Sequence, residues 1–332
     1  MKRKASITHN DFELDLPLFF PSISSVKTNF SVIDYLKLIK ASNSNNFLIS
    51  AYDIHNQSLD VKNEIISILK ELKQKGVSIL MDSGNYESYW HKDENWSISA
   101  FEEILKLELA NIYFSFDDQS IEDKSIIEIT NSVVKNTTSN LKCTNSLITP
   151  IIHAKPTDLG VVCENVVREL HPKHIAIPER LLGDGMINRI KNLSKIRKTL
   201  NNLGEYTPIH ILGTGSPFTL MLLVWAGADT FDGLEWCQTS IDPDTFQTYH
   251  FQLRELYDFN SENDNYSLMT LYSNLQLFSK LNKTIKNAME QNDLNSIMKQ
   301  YFNSELLKDK DFFVKQVSIV RPIKNSLRGF HG

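Results

Sequence analysis

The chain has 332 residues, 41% hydrophobic and 23% charged, with a formal net charge of −5. That composition describes a globular domain with enough chain to bury a sizeable core, and it excludes a protein drawn to nucleic acid by a global positive field. Cys143, Cys163 and Cys237 stand far apart with no CxxC spacing, which excludes a disulfide framework or a cysteine-rich zinc site and fits a reducing, cytoplasmic setting.

In chain order, the opening MKRKASITHNDFELD carries Lys2, Arg3 and Lys4 but no apolar stretch behind them, so it reads as a solvated start rather than a secretory signal. Short β-rich apolar runs then recur at 18–22, 47–53, 77–82, 112–117, 147–153, 174–178, 209–212 and 229–232. Each is followed by a polar cluster and a segment of helical period. Apolar character on both faces suits parallel strands buried between a core and a helical layer.

Between them, 61–73 sets Ile65, Ile66, Leu69 and Leu72 on one stripe, and Gly76 supplies a stop. Ser97 precedes Ala100, Phe101, Ile104, Leu105 and Leu109, with Glu102 and Glu103 near the helix start. Ser216-Pro217 reads as an N-cap followed by proline at the first helical position, opening 218–225. The apolar segment 220–226 is far short of the ~20 residues of a membrane span.

Eight strands alternating with helices predict an α/β fold, a (β/α)8 TIM barrel over 1–245. A doubly wound open sheet shares the same alternation, because strand order is not written in one sequence. Residues 246–332 read as the last barrel helix plus a C-terminal helical extension of the same domain, with helix at 268–289 and a polar loop at 260–265. Lys315, Arg321, Lys324 and Arg328, with Phe330 available to stack, form the natural phosphate-contacting strip if the tail is not simply frayed.

In a barrel the chemistry sits at the C-terminal strand ends. Those ends carry Ser22, Asp53 with His55, Asp82-Ser83-Gly84, Asp117-Asp118, His153, Glu179-Arg180, Gly213-Thr214-Gly215, and Asp232-Gly233 with Glu235. Any single aspartate there also serves as a turn or cap residue. Acids converging on one rim repel unless they bind a cation, share protons or face a substrate. The segment HILGTGSPFTL adds glycines that let backbone approach a ligand, ahead of a helix N-terminus that favours an anion. Tyr86, Tyr89 and Trp90 follow the Asp82 motif and are placed to stack on a base or pack a lid. Of the histidines, His55 and His153 are the two expected to touch substrate.

Three stretches resemble the tRNA-guanine transglycosylase family. MDSGNYES is similar to its DSGG[FY]Q motif, YFSFDD to its FDE segment, and ILGTGSPFTLMLLVWAGADTFDGLEW to its G[VI]GTPEDLLEAVALGIDMFD stretch. The resemblance implies Asp232 as the carboxylate nucleophile at ribose C1′ and Asp82 as general acid/base. It implies backbone contacts to the base from Ser83 and Gly84, Asp117 as reader of the purine edge, and Gly213 and Gly215 in the substrate loop. Base exchange with retention needs two displacements, one carboxylate forming the glycosyl-enzyme and a second moving the proton. No step requires a metal or cofactor.

Departures from the family pattern fall on the loops expected to read the base. His153 stands where the family has a glutamine, PERLLGD puts Glu179 and Arg180 in the GGLAVGE loop, and Asn85 replaces the second glycine. The family's CxCxxC…H zinc site has no counterpart, since only Cys237 lies beyond residue 163. The resemblance thus implies a divergent member, similar to the branch that puts 7-deazaguanine derivatives into DNA, with relatives in phages or anti-phage clusters. Expected partners are a purine or 7-deazapurine base and a nucleic acid, tRNA or DNA, with a homodimer or partner proteins from the same gene cluster also open. Two rival readings remain: a binding scaffold without turnover, and a carboxylate-pair N-glycosidase.

Overall fold

The expected runs become parallel strands because their residues alternate between two apolar environments. In the computed structural model, which describes residues 3–258 and 265–291, a hairpin of β1 (Ser6–His9) and β2 (Phe12–Asp15) precedes the barrel. Eight strands follow: β3 (Leu18–Ile23), β4 (Asn46–Ser50), β5 (Ser78–Asp82), β6 (Ile112–Phe114), β7 (Leu147–Thr149), β8 (Ile175–Pro178), β9 (Ile209–Leu212) and β10 (Thr230–Gly233). They pair in the order β7-β6-β5-β4-β3-β10-β9-β8, all parallel. A parallel bridge between Ile151 and Ala176 joins the two outer strands. That closure decides for the (β/α)8 barrel over the open sheet.

The helices are α1 (Val32–Ala41), α2 (Ala51–His55), α3 (Leu59–Gln74), α4 (Asn85–His91), α5 (Ile98–Leu105), α6 (Ile126–Asn140), α7 (Leu159–Leu170), α8 (Gly185–Asn201), α9 (Pro217–Ala226), α10 (Glu235–Gln238) and α11 (Tyr266–Glu290), with a small hairpin of β11 (Thr239–Ile241) and β12 (Thr248–His250) before the last. Local chemistry starts several of them. Ser31 accepts from Asp34 N, Ser97 from Ala100 N, and Ser125 with Glu128 forms a capping box. Ser216 occupies the N-cap of α9 with Pro217 at the first helical position, but its hydroxyl makes no capping bond. α11 packs on α9 and β3, stacking Phe278 on Phe19 with ring centroids 4.2 Å apart. Among the described residues, no helix is long and apolar enough to cross a membrane.

Two apolar layers result. Outward strand residues such as Ile49, Ile79, Tyr113, Ile177, Ile211 and Phe231 meet the helices. Inward residues Phe20, Leu48, Leu80, Ile112, Phe114 and Leu147 fill part of the barrel together with Ile7, Leu14 and Leu16, so the N-terminal hairpin plugs its base. The expected solvated start is thereby corrected. Arg3 is 3% exposed, donates to Asp229 Oδ1 at 2.7 Å and to the carbonyls of Val224 and Ala228, and shares Asp229 with Arg197. A buried acid needed a partner, and the chain start supplies one. Lys4 pairs with Glu205. Lys2, most of the 260–265 loop and the basic strip of Lys315, Arg321, Lys324, Arg328 and Phe330 lie outside the described residues.

Candidate active site

The C-terminal strand ends open into one cavity of about 510 Å³. Its wall takes Asp82 and Ser83 at the end of β5, Asp117 after β6, His153 after β7, Glu179 and Arg180 after β8, Gly213 after β9, and Asp232 and Glu235 at β10 and α10. Glu87 from α4 and Ser22 from β3 complete it. Of the ten residues expected from sequence, eight face this space. Gly84 and Gly215 do not line it.

Asp232 is 8% exposed and its two oxygens accept three hydrogen bonds. Ser22 Oγ donates to Oδ2 at 2.9 Å, while His210 Nε2 and Gly213 N donate to Oδ1 at 3.0 and 3.1 Å. Asp82 is treated differently. Its one hydrogen bond in the site comes from Gly84 N at 3.1 Å, and burial, reinforced by the charges of Glu87, Asp117 and Asp232, raises its pKa well above the usual carboxylate range.

Asp117 is a third case. Burial pushes its pKa up, but His153 Nε2 at 2.7 Å, Asn85 Nδ2 at 2.7 Å and Ser83 Oγ at 2.9 Å outweigh it and hold the carboxyl below its ordinary value. Its neighbour Asp118 turns outward to Lys124 and Ser120, so only one acid of this pair serves the cavity.

Two further acids sit between these extremes. Glu87 accepts from Ser24 Oγ at 2.6 Å and Ser50 Oγ at 2.9 Å, and burial, then the charge of Asp53, raises it to about 7. Glu235 is raised to about 7 by burial, with smaller contributions from Glu179 and Asp232. Its carboxyl lies against backbone, since a Cβ on either Gly215 or Gly233 would collide with Glu235 Oε2. Glycine at 215 therefore makes room for the Glu235 carboxyl.

Asp53 and His55 correct the reading of the second strand end. β4 stops at Ser50 and both residues belong to α2. Asp53 is tied to Ser25 N and Oγ, behind Glu87, with burial raising it to about 6. His55 packs edge-on against Trp96, away from the cavity. Sequence reasoning placed Ser22 at a strand end without giving it a role, and it passed over Glu87 and above all His210, a histidine inside a strand. The available signals were faint: Glu87 within the Asp82 motif, and His210 two positions before Leu212 on the inward face.

The rim carries the cations. Arg180 donates weakly to Gln119 Oε1 at 3.4 Å, Arg189 pairs with Glu179, and Lys27 lies 3.9 Å from the centre of the Trp90 ring. Tyr86 reaches the cavity from α4 and meets Trp90 edge-on, while Tyr89 is 72% exposed.

No protein-family model matches the sequence. The chain is similar to the tRNA-guanine(15) transglycosylase of Sulfolobus acidocaldarius, with 25% identity over 239 residues, covering 68% of this chain. It spans 45% of the length of that relative.

Proposed function

We propose that this chain is a glycosyltransferase of the base-exchange type, replacing a guanine-type base of a nucleic acid with a 7-deazapurine. The observation that carries the reading is the unequal treatment of two carboxyls in one cavity. Asp232 meets three hydrogen-bond partners, whereas burial among acids favours the protonated form of Asp82, which meets one. One group is thus suited to attack carbon and the other to give a proton.

In the first displacement the Asp232 carboxylate bonds to C1′ as the glycosidic C–N bond breaks, and the Asp82 proton goes to the departing nitrogen. In the second, the ring nitrogen of the incoming base attacks C1′, its proton passes to the Asp82 carboxylate, and Asp232 leaves. Two inversions give retention. Asp117, kept ionised by His153, Asn85 and Ser83, accepts the N–H groups on the Watson–Crick edge of a guanine-type base. The similarity to a tRNA-guanine transglycosylase supports this reading and makes guanine in tRNA the first substrate to test. DNA is the second, as the departures at His153, Glu179 and Arg180 alter the base-reading loops.

The test is incubation with radiolabelled guanine or the 7-deazapurine preQ0, together with tRNA, double-stranded DNA or single-stranded DNA. Label entering one polymer, and lost with Asp232→Ala, is the expected result. Release of base without uptake of label points instead to an N-glycosidase. Neither uptake nor release with any polymer, from protein whose fold is verified, overturns both enzyme readings.

A further inference from the structure

A barrel interior is ordinarily filled by branched apolar side chains. Here such side chains concentrate on the β3–β7 side, with Ala176 and Leu212 continuing the apolar cluster onto β8 and β9. Across β7 to β10 the inward positions also include four polar residues, Thr149, His174, His210 and Thr230, all fully buried. They touch in series. Thr149 Oγ1 lies 3.0 Å from His174 Nδ1, His174 Nε2 lies 2.8 Å from Thr230 Oγ1, Thr230 Oγ1 lies 2.8 Å from His210 Nδ1, and His210 Nε2 lies 3.0 Å from Asp232 Oδ1.

Proton bookkeeping gives the series a direction. An ionised Asp232 only accepts, so His210 Nε2 carries the hydrogen. In a neutral ring Nδ1 then accepts, and its partner is the Thr230 hydroxyl. Thr230 has one hydrogen and has spent it, so its oxygen accepts from His174 Nε2. His174 Nδ1 is left to accept from the Thr149 hydroxyl. Every contact is satisfied and no proton is left over, which a buried network requires.

We propose that Thr149, His174, Thr230 and His210 form a one-way hydrogen-bond relay that locks His210 in its Nε2–H tautomer and makes it the positioning residue of Asp232. Protonating His210 would reverse the three bonds that run from its Nδ1 back to Thr149 and force His174 into the other tautomer, while the Nε2–H bond to Asp232 kept its direction. Burial lowers the pKa of both rings; the charge of Asp232 partly offsets this at His210, and His210 deepens it at His174. Asp232 and His174 are the titratable groups facing His210, and Phe114 closes its remaining side edge-on at 4.8 Å. The Nε2–H bond then holds the Asp232 oxygen in place for attack and receives the carboxylate again when it leaves C1′.

The kinetic part rests on the base-exchange reading; the tautomers do not. Nitrogen-15 NMR of histidine-labelled protein at pH 7, assigned with His174→Gln and His210→Gln, reads them directly. Both rings are expected protonated at Nε2 and bare at Nδ1. An Nδ1–H signature at His210 overturns the relay, whatever the enzyme does. In the exchange assay, Thr230→Val is expected to lower kcat about 10- to 100-fold with KM nearly unchanged, and Thr230→Ser to restore most of it. Full kcat in a folded Thr230→Val variant overturns the positioning role. Should the wild type exchange no base, the functional reading fails while the NMR result still decides the relay.

Discussion

Carboxyl groups of one chemical type meet different surroundings in this cavity, and the difference lies in their donors. Asp232 and Asp117 are each met by three hydrogen bonds, while Asp82 takes one. For Asp82→Asn the expected outcome is a loss of about 10²- to 10⁴-fold in kcat with base binding retained, read by exchange kinetics beside equilibrium binding of guanine. Loss of base binding instead would make Asp82 a ligand for the base rather than its acid. Glu87 offers a test without turnover. Its pKa rises from 4.5 to about 7, so between those values the folded protein keeps a proton that the unfolded chain has lost. The stability this contributes is complete below about 4.5 and is lost as pH rises through about 7. Glu87→Gln should therefore stabilise the protein by about 1–3 kcal/mol at pH 8 and flatten the pH dependence of its unfolding between 4.5 and 7. Denaturant titrations at pH 5 and pH 8 check this, and equal effects at both would refute it.

At the scale of elements, the loop from β5 to α4 sets the geometry of the site. Gly84 has φ +89° and serves as the N-cap of α4, and a Cβ there would collide with the Tyr52 Cβ. Only glycine meets both conditions. Its amide also donates to Asp82, and α4 then delivers Glu87 and Tyr86 to the cavity. Gly84→Ala is expected to cost about 2–4 kcal/mol through overpacking and left-handed backbone strain, measured by urea unfolding. A variant as stable as the wild type would mean that Tyr52 and the loop move apart freely. This element was half legible beforehand. The Asp82-Ser83-Gly84 turn stood out in the sequence, but a seven-residue helix is too short to show a period, so α4 and its buried Glu87 did not.

Across the whole molecule, the stabilising ion-pair cluster and the candidate site occupy opposite ends of the barrel. The base is closed by the β1–β2 hairpin and by Arg3, Arg197 and Tyr206 around Asp229, while the cavity opens at the other end. Arg3→Ala is expected to destabilise the fold by about 2–4 kcal/mol, since Asp229 stays buried with fewer partners. The activity of the folded fraction should not change. Thermal unfolding and the exchange assay, run on the same preparation, separate the two effects, and a fall in specific activity without a fall in Tm would contradict the division of roles.

Periodicity by itself determined the eight strands, their alternation with helices, and the placing of Asp82, Asp117, His153, Glu179 and Asp232 at strand ends of one polarity. Those features follow from which residues are apolar and at what spacing, a property local to each segment. Closure through Ile151 and Ala176, burial of Arg3 against Asp229, the outward turn of Asp118 and the approach of His210 to Asp232 were decided by tertiary structure alone. Each joins residues from distant strands or loops whose partners no local pattern encodes. The protonation states of the acids belong to the same class, because burial and neighbouring charge exist only once the barrel has closed around them.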